Sequence, residues 1–229
     1  MPLNERQAEI LGYLKKNKRL SVKKASEIFY VSEMTVRRDF KEMEKKGFIQ
    51  RYNGGAVFSE SGSLPLEFRK MLRSKEKKLL SSKAKEHIKD GMSVYIDSSS
   101  TCLYVLPQLA EHKDITVVTN SVQCLITASE YNLKCIIAGG NFYKYDMCTV
   151  GSKTDEFLSG MNTDVGFFCV EGISDDGIIS DGDELQTSAR KAAMKNCGKI
   201  IFLFDETRQH KKCLYTLCKA EDADDIIII

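Results

Sequence analysis

Ser32-Glu33-Met34-Thr35-Val36-Arg37-Arg38-Asp39-Phe40-Lys41-Glu42-Met43-Glu44-Lys45-Lys46-Gly47 reads as one short helix with two incompatible faces. Ser32 is suited to cap the free N–H groups of the first turn, and Glu33 suits the positive end of the helix dipole. Lys45 and Lys46 sit at the negative end, and Gly47 stops the helix. At roughly 100° per residue, Val36, Phe40 and Met43 gather into a narrow apolar stripe, while Met34, Arg37, Arg38, Lys41 and Lys45 fall on the opposite side. One face packs and the other is cationic. A solvated surface helix has the same pattern, so the neighbours have to decide what this one does.

Ser21 precedes the helical run 22–29, in which Ala25, Ile28 and Phe29 share a face, and Tyr30-Val31 leads straight to the Ser32 cap. Helix, tight turn and helix make a helix-turn-helix, whose second helix enters the major groove of DNA. Behind it, Phe48-Ile49-Gln50-Arg51-Tyr52-Asn53-Gly54-Gly55-Ala56-Val57-Phe58 alternates and turns at Asn-Gly-Gly, the pattern of a small hairpin. Asn4 is suited to cap a first helix to about residue 16, with Leu3, Ile10, Leu11 and Leu14 on one side. The expectation is a winged helix-turn-helix with Ser32, Thr35, Arg37 and Arg38 toward the major groove. By helical phase Arg38 is the most exposed of these. Lys41 and the wing residues Arg51 and Asn53 are expected against the phosphate backbone.

These residues carry a resemblance. Residues 20–39, with Met34-Thr35-Val36-Arg37-Arg38-Asp39 at their end and Arg51-Tyr52-Asn53-Gly54-Gly55-Ala56 behind, closely resemble the DeoR family of bacterial transcriptional regulators. Asn53 stands where that family usually carries His.

Charge is unevenly placed. The chain has 229 residues and a net charge of +2, yet residues 1–58 hold 13 Lys and Arg against 7 Asp and Glu, a net +6; the remainder holds 21 against 25, a net −4. The basic part is the one with the helix-turn-helix, which favours a polyanionic partner for that part alone. Eight cysteines (102, 124, 135, 148, 169, 197, 213 and 218) include no CxxC pair and fall mostly in apolar runs, so they read as reduced core residues. Histidines at 87, 112 and 210 are too scattered for a zinc site, so neither metal nor cofactor is expected. No apolar run approaches the ~18 residues that span a bilayer and the chain opens on polar residues, so a cytoplasmic protein is expected.

The stretch 59–65, Ser-Glu-Ser-Gly-Ser-Leu-Pro, interrupts every periodicity and reads as a linker. The expected organisation is a DNA-binding domain at 1–58, a linker at 59–66 and an α/β effector-sensing domain at 67–229. A charged helical stretch over 67–89 carries Phe68, Met71, Leu72, Leu79, Leu80, Ala84 and Ile88, and is long enough to bridge domains. Six short β-rich runs follow, at 92–96, 115–119, 133–138, 165–170, 199–204 and 226–229. Helical patterns at about 102–112, 121–131, 153–161 and 184–197 lie between several of them. Alternation of this kind implies a mostly parallel sheet covered on both faces.

The ligand crevice of such a sheet lies beyond the carboxyl ends of its strands. There stand Asp97-Ser98-Ser99-Ser100-Thr101, Thr119-Asn120-Ser121, Gly139-Gly140, Glu171-Gly172 and Asp205-Glu206-Thr207-Arg208. Hydroxyls, amides and glycines converging there suit an anion or a polyol. These residues, with Gly151 and Asp164, extend the resemblance to the sensor half of DeoR-type regulators, similar in fold to ribose-5-phosphate isomerase. The resemblance implies a phosphorylated sugar or similar metabolite as effector. Ser99 replaces a usual Gly, Thr187 a usual Glu, and Arg208 a usual Lys, which keeps the charge and adds a bidentate fork. The implied function is a DNA-binding regulator, a homo-oligomeric repressor of a sugar operon. Two rivals are an isomerase-like enzyme using Asp97, Glu171, Asp205 and Arg208 as acid, base and phosphate clamp, and an architectural protein blind to metabolites.

Overall fold

The computed structural model describes residues 3–17, 19–58, 66–71 and 73–229. The expected linker, 59–66, therefore lies outside the described residues apart from Leu66. The chain divides into two compact units, Met1–Leu72 and Arg73–Ile229.

In the first unit, α1 (Glu5–Asn17), α2 (Val22–Ile28) and α3 (Glu33–Lys45) surround one apolar core. The hairpin strands β2 (Ile49–Tyr52) and β3 (Gly55–Phe58) pair antiparallel, and a short strand β1 (Arg19–Ser21) joins them in the order β1-β3-β2. That strand was not expected; three residues are too few to show a period, and only its pairing with β3 defines it. Ile10, Leu11, Leu14, Leu20, Ala25, Val36, Phe40 and Met43 form the buried centre, so the apolar stripe of α3 is where its periodicity put it. The caps follow the sequence. Asn4 Oδ1 accepts from the Gln7 N–H (2.9 Å), Ser21 Oγ from that of Lys24 (3.2 Å) and Ser32 Oγ from that of Thr35 (3.2 Å). A further helix, α4 (Leu66–Met71), belongs to this unit.

The second unit is organised by a six-stranded parallel sheet. Its strands are β4 (Ser93–Ile96), β5 (Thr116–Thr119), β6 (Lys134–Ile137), β9 (Val165–Phe168), β12 (Ile200–Phe204) and β14 (Asp225–Ile228), in the order β14-β12-β9-β4-β5-β6. These are the six expected runs. The inner strands are buried along nearly their whole length, which is why they read as continuous apolar segments. On one face Tyr95, Phe168, Phe202 and Phe204 stack in series, with centroids 5.1–5.7 Å apart, under Ala189 and Ala193 of α9 (Glu184–Met194). The remaining helices are α5 (Ser74–Ala84), α6 (Leu106–Leu109), α7 (Val122–Glu130) and α8 (Ser152–Ser159). A hairpin, β7 (Asn141–Tyr143) with β8 (Cys148–Val150), and a three-stranded antiparallel sheet complete the unit. That sheet holds β10 (Gly172–Ile173), β11 (Ile178–Asp181) and β13 (Tyr215–Lys219).

Two helical expectations are corrected. The stretch 67–89 is not one helix: α4 and α5 are separate, with Arg73 in the left-handed region (φ 51°) as the cap residue of α5. The Arg73 guanidinium lies 3.6 Å from Glu206 and 3.9 Å from Asp205, long-range partners that local periodicity cannot register. The pattern over 102–112 is a 3₁₀ turn, Cys102–Val105, followed by the single turn α6. Pro107 in that first turn has no N–H to extend an α-ladder back through the preceding residues. Among the described residues no helix is long and apolar enough to cross a membrane.

Candidate functional site

The expected site residues fall into two groups, one in each unit. In the first, α3 turns Ser32, Arg37, Arg38 and Lys41 outward, with Thr35 half-buried. Ser32 Oγ caps Thr35 and also shares a proton with the Thr35 hydroxyl (2.9 Å), so these two residues set the start of the helix. Arg37 pairs loosely with Glu33 one turn earlier (3.3 Å), both exposed, an interaction worth about 0.3–0.5 kcal/mol. Arg38 and Lys41 are exposed and make no ion pair among the described residues. In the wing, Asn53 is exposed at the turn, where Gly54 takes φ 96°. Arg51 is not free: its backbone N–H and Nε donate to the two oxygens of Glu44 (2.8 and 2.7 Å) and hold that carboxyl below its ordinary pKa. The wing is thereby tied to the end of α3.

Sequence reasoning gave Asp39 no separate role. It is buried, accepting from Arg6 Nε (2.7 Å) and Nη2 (3.3 Å) and from Gln7 Nε2 (3.2 Å). It bolts α3 to α1. A carboxylate on the margin of an apolar stripe was the only signal.

In the second unit the expected effector residues lie at the strand ends, but they divide into committed and available groups. Asp97 is fully buried. Its oxygens accept from Arg190 Nε (3.0 Å) and from the Cys169 N–H (3.3 Å), while Arg190 Nη1 donates to Asp181 (3.0 Å). Burial raises the Asp97 carboxyl above the ordinary range, and the Arg190 guanidinium opposes that rise. Burial works against the Arg190 charge, but the two carboxylates outweigh it and hold its pKa above the usual value. Asp97 is thus a clasp between β4 and α9 and has no free oxygen for acid–base chemistry, which corrects its part in the isomerase-like alternative. Arg190 went unread in the sequence because its partners lie 93 and 9 residues away.

Thr119 and Asn120 are also committed. The Thr119 hydroxyl donates to the Ile96 carbonyl (2.6 Å) and accepts from the Ser121 N–H (3.0 Å). Asn120 accepts from the Tyr95 hydroxyl (3.2 Å) and donates to the Thr149 carbonyl (2.8 Å). Gly139 accepts from Thr154 Oγ1 (2.8 Å), and Gly140 sits at φ 151° where any Cβ would fall on that hydroxyl. Gly172 is required because the Lys211 carbonyl passes 2.5 Å from where its Cβ would stand. Asp205 Oδ1 caps Thr207 (2.9 Å).

Of the remainder, Ser100 and Glu171 each meet a lysine. In the loop after β4, Ser98 Oγ donates to Gln186 (2.9 Å), the buried Thr101 lies beside the Cys169 thiol, and Ser100 Oγ accepts from Lys77 Nζ (2.9 Å). Lys77 is buried on α5 with Leu80 and Ala84 and brings an ammonium to this loop. It escaped the sequence reading as one lysine in a charged run, although it shares the helical face of those apolar residues. Arg208 is half-buried, its Nε buried and without a hydrogen-bond partner among the described residues. Its charge reaches Glu171 and Cys169. Burial pushes the Glu171 carboxyl up, but Lys211 (3.1 Å) and Arg208 together pull it below its ordinary value. Among the described residues no group of three His, Cys, Asp or Glu is arranged to hold a metal.

Comparison with known proteins agrees with both halves. Residues 6–62 match the DeoR-like helix-turn-helix domain and residues 72–228 the DeoR C terminal sensor domain. The glycerol-3-phosphate regulon repressor of Escherichia coli (strain K12) is 28% identical over 91% of this chain and 83% of its own length. The HTH-type transcriptional regulator IolR of Bacillus subtilis (strain 168) is 28% identical over 91% and 84%. Among solved structures, eIF2B delta from Chaetomium thermophilum covers 69% of this chain and 56% of its own with a TM-score of 0.52 at 12% identity, a likeness of fold alone. A D-ribose-5-phosphate isomerase in complex with phospho-erythronic acid covers 59% and 54%, with a TM-score of 0.46 and 20% identity. The chain spans about half the length of these two solved structures. With a winged helix-turn-helix ahead of an α/β sensor unit, and both matched across their length, the chain belongs to the DeoR family of transcriptional regulators.

Proposed function

We propose that the protein represses a carbohydrate operon and that its grip on operator DNA is controlled by a phosphorylated sugar or polyol. The effector's phosphate is taken by Lys77, the Ser98–Thr101 loop and Arg208. The observations that carry this reading are two cations beside strand-end loops: the buried Lys77 ammonium on Ser100 and the Arg208 Nε, which has no hydrogen-bond acceptor among the described residues. A buried N–H without a partner costs about 1–3 kcal/mol, which a bound phosphate oxygen would relieve. The relative named for a glycerol-3-phosphate regulon supports a phosphorylated polyol as the ligand class. On the DNA side, Arg37, Arg38, Thr35 and Ser32 approach the major groove, and Lys41, Arg51 and Asn53 the backbone. Arg51 would first have to share its charge with Glu44.

A single winged helix specifies few bases, so the chain acts as a homo-oligomer, dimer or tetramer, on repeated half-sites. It does so in the cytoplasm, where operator DNA is found, with 59–66 linking reader and sensor. Titration calorimetry with glycerol 3-phosphate, ribose 5-phosphate and their unphosphorylated parents tests the effector class. Binding restricted to the phosphorylated compounds is expected. Equal binding of the parents, or turnover of ribose 5-phosphate, would refute it.

A further inference from the structure

Met34 is the second residue of α3 and is 78% exposed. At 100° per residue, Arg38, Lys41 and Lys45 lie within about 40° of it, and Met43 of the buried stripe stands about 180° away. An unbranched apolar side chain therefore occupies the middle of the cationic face, at the end of the helix that leads into the groove. Its neighbours are already engaged: Ser32 with Thr35, and Arg37 with Glu33. The charges around it draw the helix to phosphates but supply nothing for an apolar group to pack on. The major-groove edge does, since the C5-methyl of thymine is the apolar group displayed there. A flexible, polarizable thioether adapts well to so small a target.

We propose that Met34 is a specificity-determining residue that packs on the C5-methyl of one thymine in each operator half-site. The assignment rests on α3 being the recognition helix and goes further by naming the base. The test uses the full chain and a duplex recovered from a random double-stranded DNA pool, with each thymine replaced in turn by deoxyuridine. That change removes the methyl group and leaves every hydrogen bond in place. Wild-type protein should lose about fourfold in affinity at one position per half-site, the value of one buried methyl group. Met34→Ala should bind the thymine duplex about fourfold more weakly and be indifferent to deoxyuridine at that position, whereas Met34→Leu should stay sensitive. An unchanged melting temperature, expected for so exposed a side chain, separates this from misfolding. Indifference of the wild type to every replacement would overturn the proposal. So would a Met34→Ala protein as sensitive as wild type, which would give the contact to Thr35. Recovery of no specific duplex at all would instead overturn the recognition-helix reading on which the proposal stands.

Discussion

Replacing Arg190 by Met tests the clasp at the heart of the sensor unit. The guanidinium is only 7% exposed and holds Asp97 and Asp181, themselves 1% and 7% exposed, each at 3.0 Å. Methionine keeps much of the stem volume but leaves two buried carboxylates facing each other without a cation. Removing one partner of a buried ion pair typically costs about 3–5 kcal/mol, because the partner stays behind uncompensated. Against a total stability of about 5–15 kcal/mol, that is a large fraction. For a unit of this size each kcal/mol moves the melting temperature by about 2–4 °C, so a fall of roughly 6–20 °C is expected. Urea denaturation with unchanged m-value would measure the loss directly.

The pH dependence supplies a second arm. Without Arg190, burial is left unopposed at Asp97 and holds its carboxyl above the unfolded value. The native variant then binds more protons than the unfolded chain, and its stability should fall as pH rises from about 4. The deficit against wild type is smallest in acid. Adding Asp97→Asn and Asp181→Asn should recover part of the loss at neutral pH. A single-variant cost below about 1 kcal/mol, with no pH dependence, would refute the account of these three residues as a closed electrostatic unit.

Arg38→Ala should cost about 1–3 kcal/mol in operator affinity and relax preference at one position, as measured by competition binding; equal weakening on all sequences would reduce it to a phosphate contact. Arg208→Ala should leave operator binding without effector nearly unchanged and abolish the response to a sugar phosphate; a wild-type response would put the phosphate elsewhere. Glu171 is held below its ordinary pKa of 4.5 by Lys211 and Arg208, so the stability it contributes is present above that pH and is lost as pH falls through its lower native value. Glu171→Gln should accordingly flatten the acid limb of the pH–stability profile, and an unaltered limb would contradict the pairing.

The elements that carry a period within themselves were legible in the sequence. Val36, Phe40 and Met43 repeat on one side of a single helix, so both the buried stripe and the exposure of Arg38 and Lys41 follow from helical geometry. The six parallel strands are covered on both faces and therefore appear as apolar runs, whatever pairs with them. Tertiary structure decided the rest, because it depends on partners the local pattern does not contain. β11 exists through pairing with β13, whose residues lie more than thirty positions on. Arg73 breaks a continuous helical pattern where Asp205 and Glu206 approach it. Asp97 stands at the strand end where a ligand carboxylate was expected, yet Arg190 from α9 claims it, while Lys77 is drawn from a run of solvent lysines to Ser100. Periodicity tells which side of an element is buried; which charge meets which in the buried interior is set only when the chain has closed on itself.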